Sequence, residues 1–212
     1  MLTLLLACAA APPSDDSVAD LSFDYPLDEV LRVNHLQALG THNSYHQQPA
    51  EDTLDEWSYT HAPLSEQALE QGVRQFELDV NWIDGELLVF HAPLIDASTS
   101  CERLVDCLGE LRAWSDRNPA HHPLMVLIEP KTEFFEDQGE AQYALLEGDI
   151  ASTWPDRVIT PAQVQRGHDS VREGLATEGW PTLGETRGGV VFSLLDTGEH
   201  GDFYTHGESD LD

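Results

Sequence analysis

Gly72-Val73-Arg74-Gln75-Phe76-Glu77-Leu78-Asp79-Val80 is the stretch on which the fold turns. Phe76, Leu78 and Val80 alternate with Gln75, Glu77, Asp79 and Asn81, the period of a strand whose two faces meet different surroundings. The apolar face requires a core. The polar face carries Glu77 and Asp79 on one side, with Cα atoms roughly 6.6 Å apart. Upstream, Leu64 to Gly72 has helical polarity and a glycine stop. Further out, Leu36 to Gly40, Leu87 to Phe90, Pro123 to Ile128, a weak Val158-Ile159 and Gly189 to Leu195 read as strands. Cys101 to Asp116 and Gln138 to Ile150 read as helices, and the alternation predicts an α/β architecture.

One connection departs from a parallel scheme. Six residues separate Val80 from Leu87, and they include Asp84-Gly85. A parallel crossover needs a dozen or more residues, whereas Asp-Gly is a hairpin signal. The segment ending at His91 is therefore expected to return antiparallel, beside the main sheet.

At 212 residues, with 41% hydrophobic residues, the chain has material for one domain with a sizeable core. Asp and Glu number 39 against 10 Lys and Arg, for a net charge of −29. Such a chain gains no electrostatic help in binding nucleic-acid phosphates, which argues against a nucleic-acid partner. The same charge is repelled by an anionic bilayer.

The N-terminus reads as targeting rather than fold. Met1 to Cys8 is an apolar stub followed by an Ala-, Pro- and Ser-rich linker ending near Asp20. Leu5-Leu6-Ala7-Cys8 resembles the bacterial lipobox, in which the cysteine is acylated. No Lys or Arg precedes the apolar run, which is shorter than an ordinary signal peptide. The expectation is an exported protein, a lipoprotein of the bacterial cell envelope or a secreted one, able to reach a membrane surface through a lipid anchor. No run of 18 apolar residues occurs. Cys101 and Cys107 form the remaining cysteine pair, with five residues between them. Spacing alone allows either a disulfide or two buried thiols, and an oxidising compartment favours the bridge.

The residues that carry chemistry stand where apolar strands stop: His42, Asn43, Glu77, Asp79, His91 and Glu129. In parallel α/β barrels the catalytic residues come from the C-terminal ends of several strands. Three carboxylates and an amide oxygen are hard ligands, suited to calcium or magnesium rather than zinc. Of the ten histidines, His42 directly precedes Asn43, and His91 ends a strand twelve residues past Asp79. The other eight, His46 and His61 among them, read as ordinary core or surface histidines. Arg74 is expected to pair with a neighbouring acid.

Gly40-Thr-His-Asn-Ser-Tyr-His46, Gly72-Val-Arg-Gln-Phe-Glu-Leu-Asp79, Val89-Phe-His91 and Ile128-Glu-Pro-Lys131 together resemble the bacterial calcium-dependent phosphoinositide-specific phospholipase C family. Cys101-x5-Cys107, Val158-Ile-Thr-Pro161, Trp180-Pro-Thr-Leu183 and Arg187-Gly188 match it as well, so the resemblance spans about residues 33 to 198. Calcium-independent relatives place an Arg where Asp79 stands. The resemblance implies a TIM-barrel-like fold of the phospholipase C type over residues 21–212, after a leader and linker at 1–20. It implies Ca²⁺ held by Asn43, Glu77, Asp79 and Glu129, and a phosphatidylinositol-type or inositol-phosphate substrate cleaved at the glycerol–phosphate bond. His42 is then the base, His91 the acid, and Lys131 a substrate-binding group near the phosphate or headgroup.

Two other functions compete. Glycerophosphodiester phosphodiesterases and sphingomyelinase D-like barrels also combine two His with a Glu-x-Asp pair, but typically carry His-Arg-Gly where this chain has His42-Asn43-Ser44. A non-catalytic surface lipoprotein that binds calcium or a polyol phosphate is the second. An eight-stranded barrel typically takes about 250 residues. After Leu195 no apolar period is legible, so the barrel is expected to be incomplete at its C-terminus, with open edges at the strands of Leu36 and Gly189.

Overall fold

The computed structural model describes residues 24–50, 54–133, 136–196 and 198–205. The lipobox, Cys8 and the linker to Asp20 lie outside the described residues, as does His206. Five strands form one sheet: β1 (Leu39–Gly40), β2 (Val73–Ile83), β3 (Glu86–Val89), β4 (Leu124–Pro130) and β5 (Val190–Leu194). Its order is β1-β2-β4-β5, all parallel, with β3 paired antiparallel to the far end of β2. Between the strands lie α1 (Leu64–Glu70), α2 (Leu104–Arg117), α3 (Glu136–Thr153), α4 (Pro161–Gln165), α5 (Val171–Glu178) and α6 (Leu183–Thr186), and α7 (Glu199–Tyr204) follows β5. The fold is α/β and TIM-barrel-like, and among the described residues the parallel strands form part of a barrel wall without closing it.

The alternation in β2 sorts its side chains as the sequence requires. Phe76, Leu78 and Val80 are fully buried and share one core with Val126 and Ile128 of β4. Leu104, Leu108 and Leu111, at the i, i+4 and i+7 spacing of one helix face, bring α2 onto the same core. Each such side chain contributes about 1.5–3 kcal/mol by leaving water. The other face carries Gln75, Glu77 and Asp79 of β2 and Glu129 of β4. Its register sets Glu77 beside Leu127 and Asp79 beside Glu129.

Asp84-Gly85 makes the expected hairpin. Both residues have positive φ, 51° and 82°, the conformation of a two-residue turn matched to strand twist. Strand β3 runs back along β2 with Val89 opposite Val80.

Three expectations fail. Val158-Ile159 forms only an isolated parallel bridge to Val190, because the chain starts a helix at once: Thr160 caps α4 and Pro161 occupies its first turn. That bridge also covers one end of β5, so its edge is only partly open. The segment after Leu195 is not featureless, since α7 buries His200 and stacks Phe203 on Tyr143 with ring centroids 5.8 Å apart. A helix of 6 residues is too short to show a period. Arg74 donates to the carbonyls of Ala68 and Val73 and lies over the Trp114 ring at 4.8 Å, with no acid among its partners in the described residues. A guanidinium half-buried at a helix–strand junction is served there by carbonyls and an aromatic face.

Cys101 and Cys107 are joined in a disulfide, with Cα atoms 5.2 Å apart, at the entrance to α2. Closing so short a loop stabilises by about 2 kcal/mol in the chain-entropy account. The Cys101→Ser/Cys107→Ser protein is expected to unfold at lower urea by that amount. Alkylation without prior reduction should leave both cysteines of the native protein unlabelled.

Candidate active site

The loop after β1 is set against β2 by backbone bonding. The Thr41 amide donates to the Gln75 carbonyl at 3.1 Å, the Ser44 amide to the Glu77 carbonyl at 3.0 Å, and the Glu77 amide to Ser44 Oγ at 2.9 Å. Gln67 of α1 is fully buried and clamps the loop from the other side. Its amide nitrogen donates to the carbonyls of Ser44 and Ala62, and its oxygen accepts from Thr41 Oγ1. Between these anchors Asn43 takes a left-handed φ of 46°, which asparagine tolerates better than most residues.

Glu77, Asp79 and Glu129 converge. One oxygen from each lies within 4.8 Å of the others. Glu77 and Asp79 are buried, and Glu129 is half-buried. Burial pushes the Asp79 carboxyl above the usual carboxylate range; Lys131 opposes the shift and Glu129 adds to it. Burial also raises Glu77, opposed by His42 and reinforced by the neighbouring carboxylates. Lys131 Nζ lies 2.8 Å from Glu129 Oε1 and 3.2 Å from Asp79 Oδ2, so this lysine sits within the acidic cluster.

The fit of a hard cation can be read from unsatisfied atoms. Asn43 Oδ1 and both carboxylate oxygens of Asp79 are buried without a well-formed hydrogen bond, although Lys131 Nζ stands 3.2 Å from Asp79 Oδ2 and the Tyr45 hydroxyl is close by. Buried oxygens without donors cost about 1–3 kcal/mol each, more when charged. Oxygen-only donors of this kind match calcium or magnesium.

His42 is mostly exposed, with its side chain 73% accessible and Nε2 3.5 Å from Glu77 Oε1. His91 ends the β3 hairpin and is held more tightly. Its Nδ1 lies 2.9 Å from Asp96 Oδ2, and Trp57 meets its ring edge-on at 5.7 Å. His42, Asn43 and His91 line one cavity of about 570 Å³, together with Trp57, Tyr59 and His61. The three carboxylates are not part of this lining, and Glu77 adjoins it through His42.

Several residues of the site escaped the sequence reading. Asp96 is fully buried and contacts two histidines, yet it is one acid among 39. His46 is also fully buried, although it sits in the quoted Gly40–His46 segment. Tyr45 is buried beside Asp79, and burial together with that charge pushes its phenol far up. His61 Nε2 bonds the His42 carbonyl at 3.0 Å. The proximity of Tyr45 and His46 to His42 in sequence was the only available signal for them.

The family model described as "Phosphoinositide phospholipase C, Ca2+-dependent" matches residues 31–86 and 83–212. No curated protein sequence matches the chain. Among solved structures, a calcium-dependent phosphoinositol-specific phospholipase C from the Gram-negative bacterium Pseudomonas sp. superposes with a TM-score of 0.64 at 19% identity, over 86% of this chain and 65% of that one. A Ca²⁺-dependent phosphatidylinositol-specific phospholipase C from Streptomyces antibioticus gives 0.58 at 24% identity, over 74% of this chain and 51% of that one. The phosphatidylinositol-specific phospholipase C from Listeria monocytogenes gives 0.53 at 17%, over 78% and 53%. The chain thus spans about half to two thirds of the length of these structures. At such identities the superpositions establish the shared fold, while the family model covers most of the sequence. This chain belongs to the family of Ca²⁺-dependent phosphoinositide phospholipases C.

Proposed function

We propose that the chain is a calcium-dependent phosphodiesterase that cleaves the glycerol–phosphate bond of phosphatidylinositol-type lipids. The observation that carries this reading is the set of buried, poorly satisfied oxygens on Asn43 and Asp79 beside Glu77 and Glu129, next to a cavity lined by His42 and His91. In it Asn43, Glu77, Asp79 and Glu129 hold Ca²⁺. Bound calcium supplies positive charge against the phosphodiester as negative charge builds on its oxygens.

The proton work falls to the chain's own imidazoles. His42 takes the proton of the inositol 2-hydroxyl, whose oxygen attacks phosphorus. The bond from phosphorus to the glycerol oxygen breaks, and His91 gives a proton to that oxygen as diacylglycerol leaves. Exposure suits His42 to meet a headgroup arriving from solvent, and the half-buried His91 is held in one orientation. Lys131, held between Asp79 and Glu129, is proposed to offer its charge to the substrate phosphate. Export to an oxidising compartment, supported by the Cys101–Cys107 disulfide, completes the proposal.

Chelator should abolish release of diacylglycerol from phosphatidylinositol vesicles, and calcium should restore it. Asp79→Asn should weaken calcium binding in a titration calorimeter. Full activity in excess chelator would sink the reading. Release of glycerol phosphate would instead favour a glycerophosphodiesterase, and calcium binding without turnover would favour a binding protein.

Acid should oppose calcium in a defined sense. With their carboxyls raised by burial and crowding, Glu77 and Asp79 are protonated over a window above the ordinary carboxylate range. The metal-free fold therefore gains stability as they protonate and loses it as pH rises through their folded pKa. Calcium removes that penalty at neutral pH and must displace protons in acid. The rise in melting temperature caused by saturating calcium should shrink from neutral to mildly acidic pH; a constant or growing shift would contradict this.

Replacing His91 by Ala should lower turnover by about 10²–10⁴ with the circular dichroism spectrum unchanged. A His91→Ala protein that turns over lipid at the wild-type rate removes His91 from the chemistry.

A further inference from the structure

The short loop that follows His91 carries a carboxylate that the proposed reaction does not use. Asp96 is fully buried, yet each of its oxygens meets an imidazole. Oδ1 lies 2.8 Å from Nε2 of His46, and Oδ2 lies 2.9 Å from Nδ1 of His91. His46 is itself fully buried, and its Nδ1 reaches the Tyr59 carbonyl at 3.0 Å. The carbonyl can only accept, so His46 donates to it from Nδ1 and meets Asp96 through Nε2. With both nitrogens engaged inside the protein, this ring is closed to a ligand. It serves to hold Asp96.

The backbone fixes the same geometry. The Ala92 amide donates to the Asp96 carbonyl at 2.9 Å and the Asp96 amide to the Ala92 carbonyl at 3.0 Å, so the loop is closed at its base beside His91. Farther on, the Gln47 amide donates to the Ser98 carbonyl at 3.2 Å and the Ser100 amide to the Tyr45 carbonyl at 2.8 Å, which joins this segment to the loop carrying His42 and Asn43. The Tyr59 ring stacks on His46 with centroids 4.2 Å apart, and its hydroxyl accepts from Asn43 Nδ2 at 3.4 Å. One chain of contacts, buried at Asn43, His46 and Asp96 and half-buried at Tyr59 and His91, therefore runs from Asn43 through Tyr59, His46 and Asp96 to His91.

We propose that Asp96, braced by His46, is the positioning residue of His91: it holds the proton on Nδ1 and leaves Nε2 as the nitrogen that serves the reaction. The proposal rests on the reading of His91 as the general acid. In the step, the Nε2 proton passes to the departing glycerol oxygen, the electron pair of that N–H bond stays on the ring, and the Nδ1 proton remains between His91 and Asp96. Asp96 gains no proton. A fixed carboxylate partner both aims a ring and selects its tautomer, as partners of metal-bound and catalytic imidazoles do. A purely structural Asp96, serving only as the buried partner of His46, would affect stability and leave the His91 tautomer and turnover alone.

The test combines ring-nitrogen NMR of the uniformly ¹⁵N-labelled full chain with kinetics on phosphatidylinositol vesicles in calcium. The His91 signals are assigned by their loss in His91→Ala. In the wild-type protein, metal-free and with calcium, neutral His91 should be the Nδ1–H tautomer; an Nε2–H tautomer overturns the proposal. In Asp96→Asn the two tautomers should mix, and kcat should fall about 10–100-fold with KM and calcium affinity nearly unchanged. Wild-type kcat in Asp96→Asn, alongside a large loss in His91→Ala, overturns the positioning role and leaves the function standing. A His91→Ala protein at wild-type rate removes the reading of His91, and the proposal falls with it. Should Asp96→Asn fail to fold, the wild-type tautomer still decides whether Asp96 sets the ring.

Discussion

Carboxylates on adjacent parallel strands repel one another, and the polar face of this sheet is organised around that repulsion. The register of β2 on β4 places Asp79 directly beside Glu129, with Glu77 two residues back on the same face, and the three oxygens lie within 4.8 Å. At an effective dielectric near 20, each such pair costs about 3 kcal/mol. Lys131 reaches Glu129 and Asp79 but is a single ammonium against three carboxylates. The core on the opposite face cannot relax the crowding, because Phe76, Leu78, Val126 and Ile128 fix the two strands in register. A fold that holds acids together in this way gains most from a cation that satisfies their buried oxygens.

The rest of the site is delivered to that cluster by two different devices. The middle of β2 supplies Glu77 and Asp79, the end of β4 supplies Glu129, and the loop after β1 supplies His42 and Asn43, tied to β2 by Ser44 and to α1 by Gln67. His91 comes from the opposite direction, on a hairpin strand that departs from the parallel order. The two histidines are held unequally. His42 has one distant carboxylate and open solvent, whereas His91 rests on Asp96 and Trp57. That asymmetry suits one group that meets an incoming ligand and another that must act in a set direction.

The cluster is local in the sheet although the superposed structures are longer. All three carboxylates come from β2 and β4, which lie side by side, and Asn43 is three residues beyond β1, the other neighbour of β2. The geometry that could hold a cation is thus built from adjacent strands rather than across a barrel. The cavity lined by His42 and His91 is bounded by loops that follow β1 and β3 and by the turn at Trp57.

Much of this was legible in the sequence by itself. The period of Phe76 to Val80 gave a strand with one apolar and one acidic face, and Asp84-Gly85 gave the antiparallel return, because both signals are local and a backbone must obey them. Glu77, Asp79 and Glu129 stood out as acids at the ends of apolar runs. What the sequence could not decide was partnership. Val158-Ile159 is as apolar as a strand, but Thr160-Pro161 begins a helix there. Arg74 found carbonyls and a ring instead of an acid. Lys131 turned out to lie among the carboxylates, and Asp96 was indistinguishable from dozens of surface acids until folding buried it between His46 and His91. Local pattern fixes which face a side chain occupies, since that depends on the bonds of its own residue. Which charge it meets depends on strand register and loop closure between segments distant in sequence, and only the tertiary structure sets those.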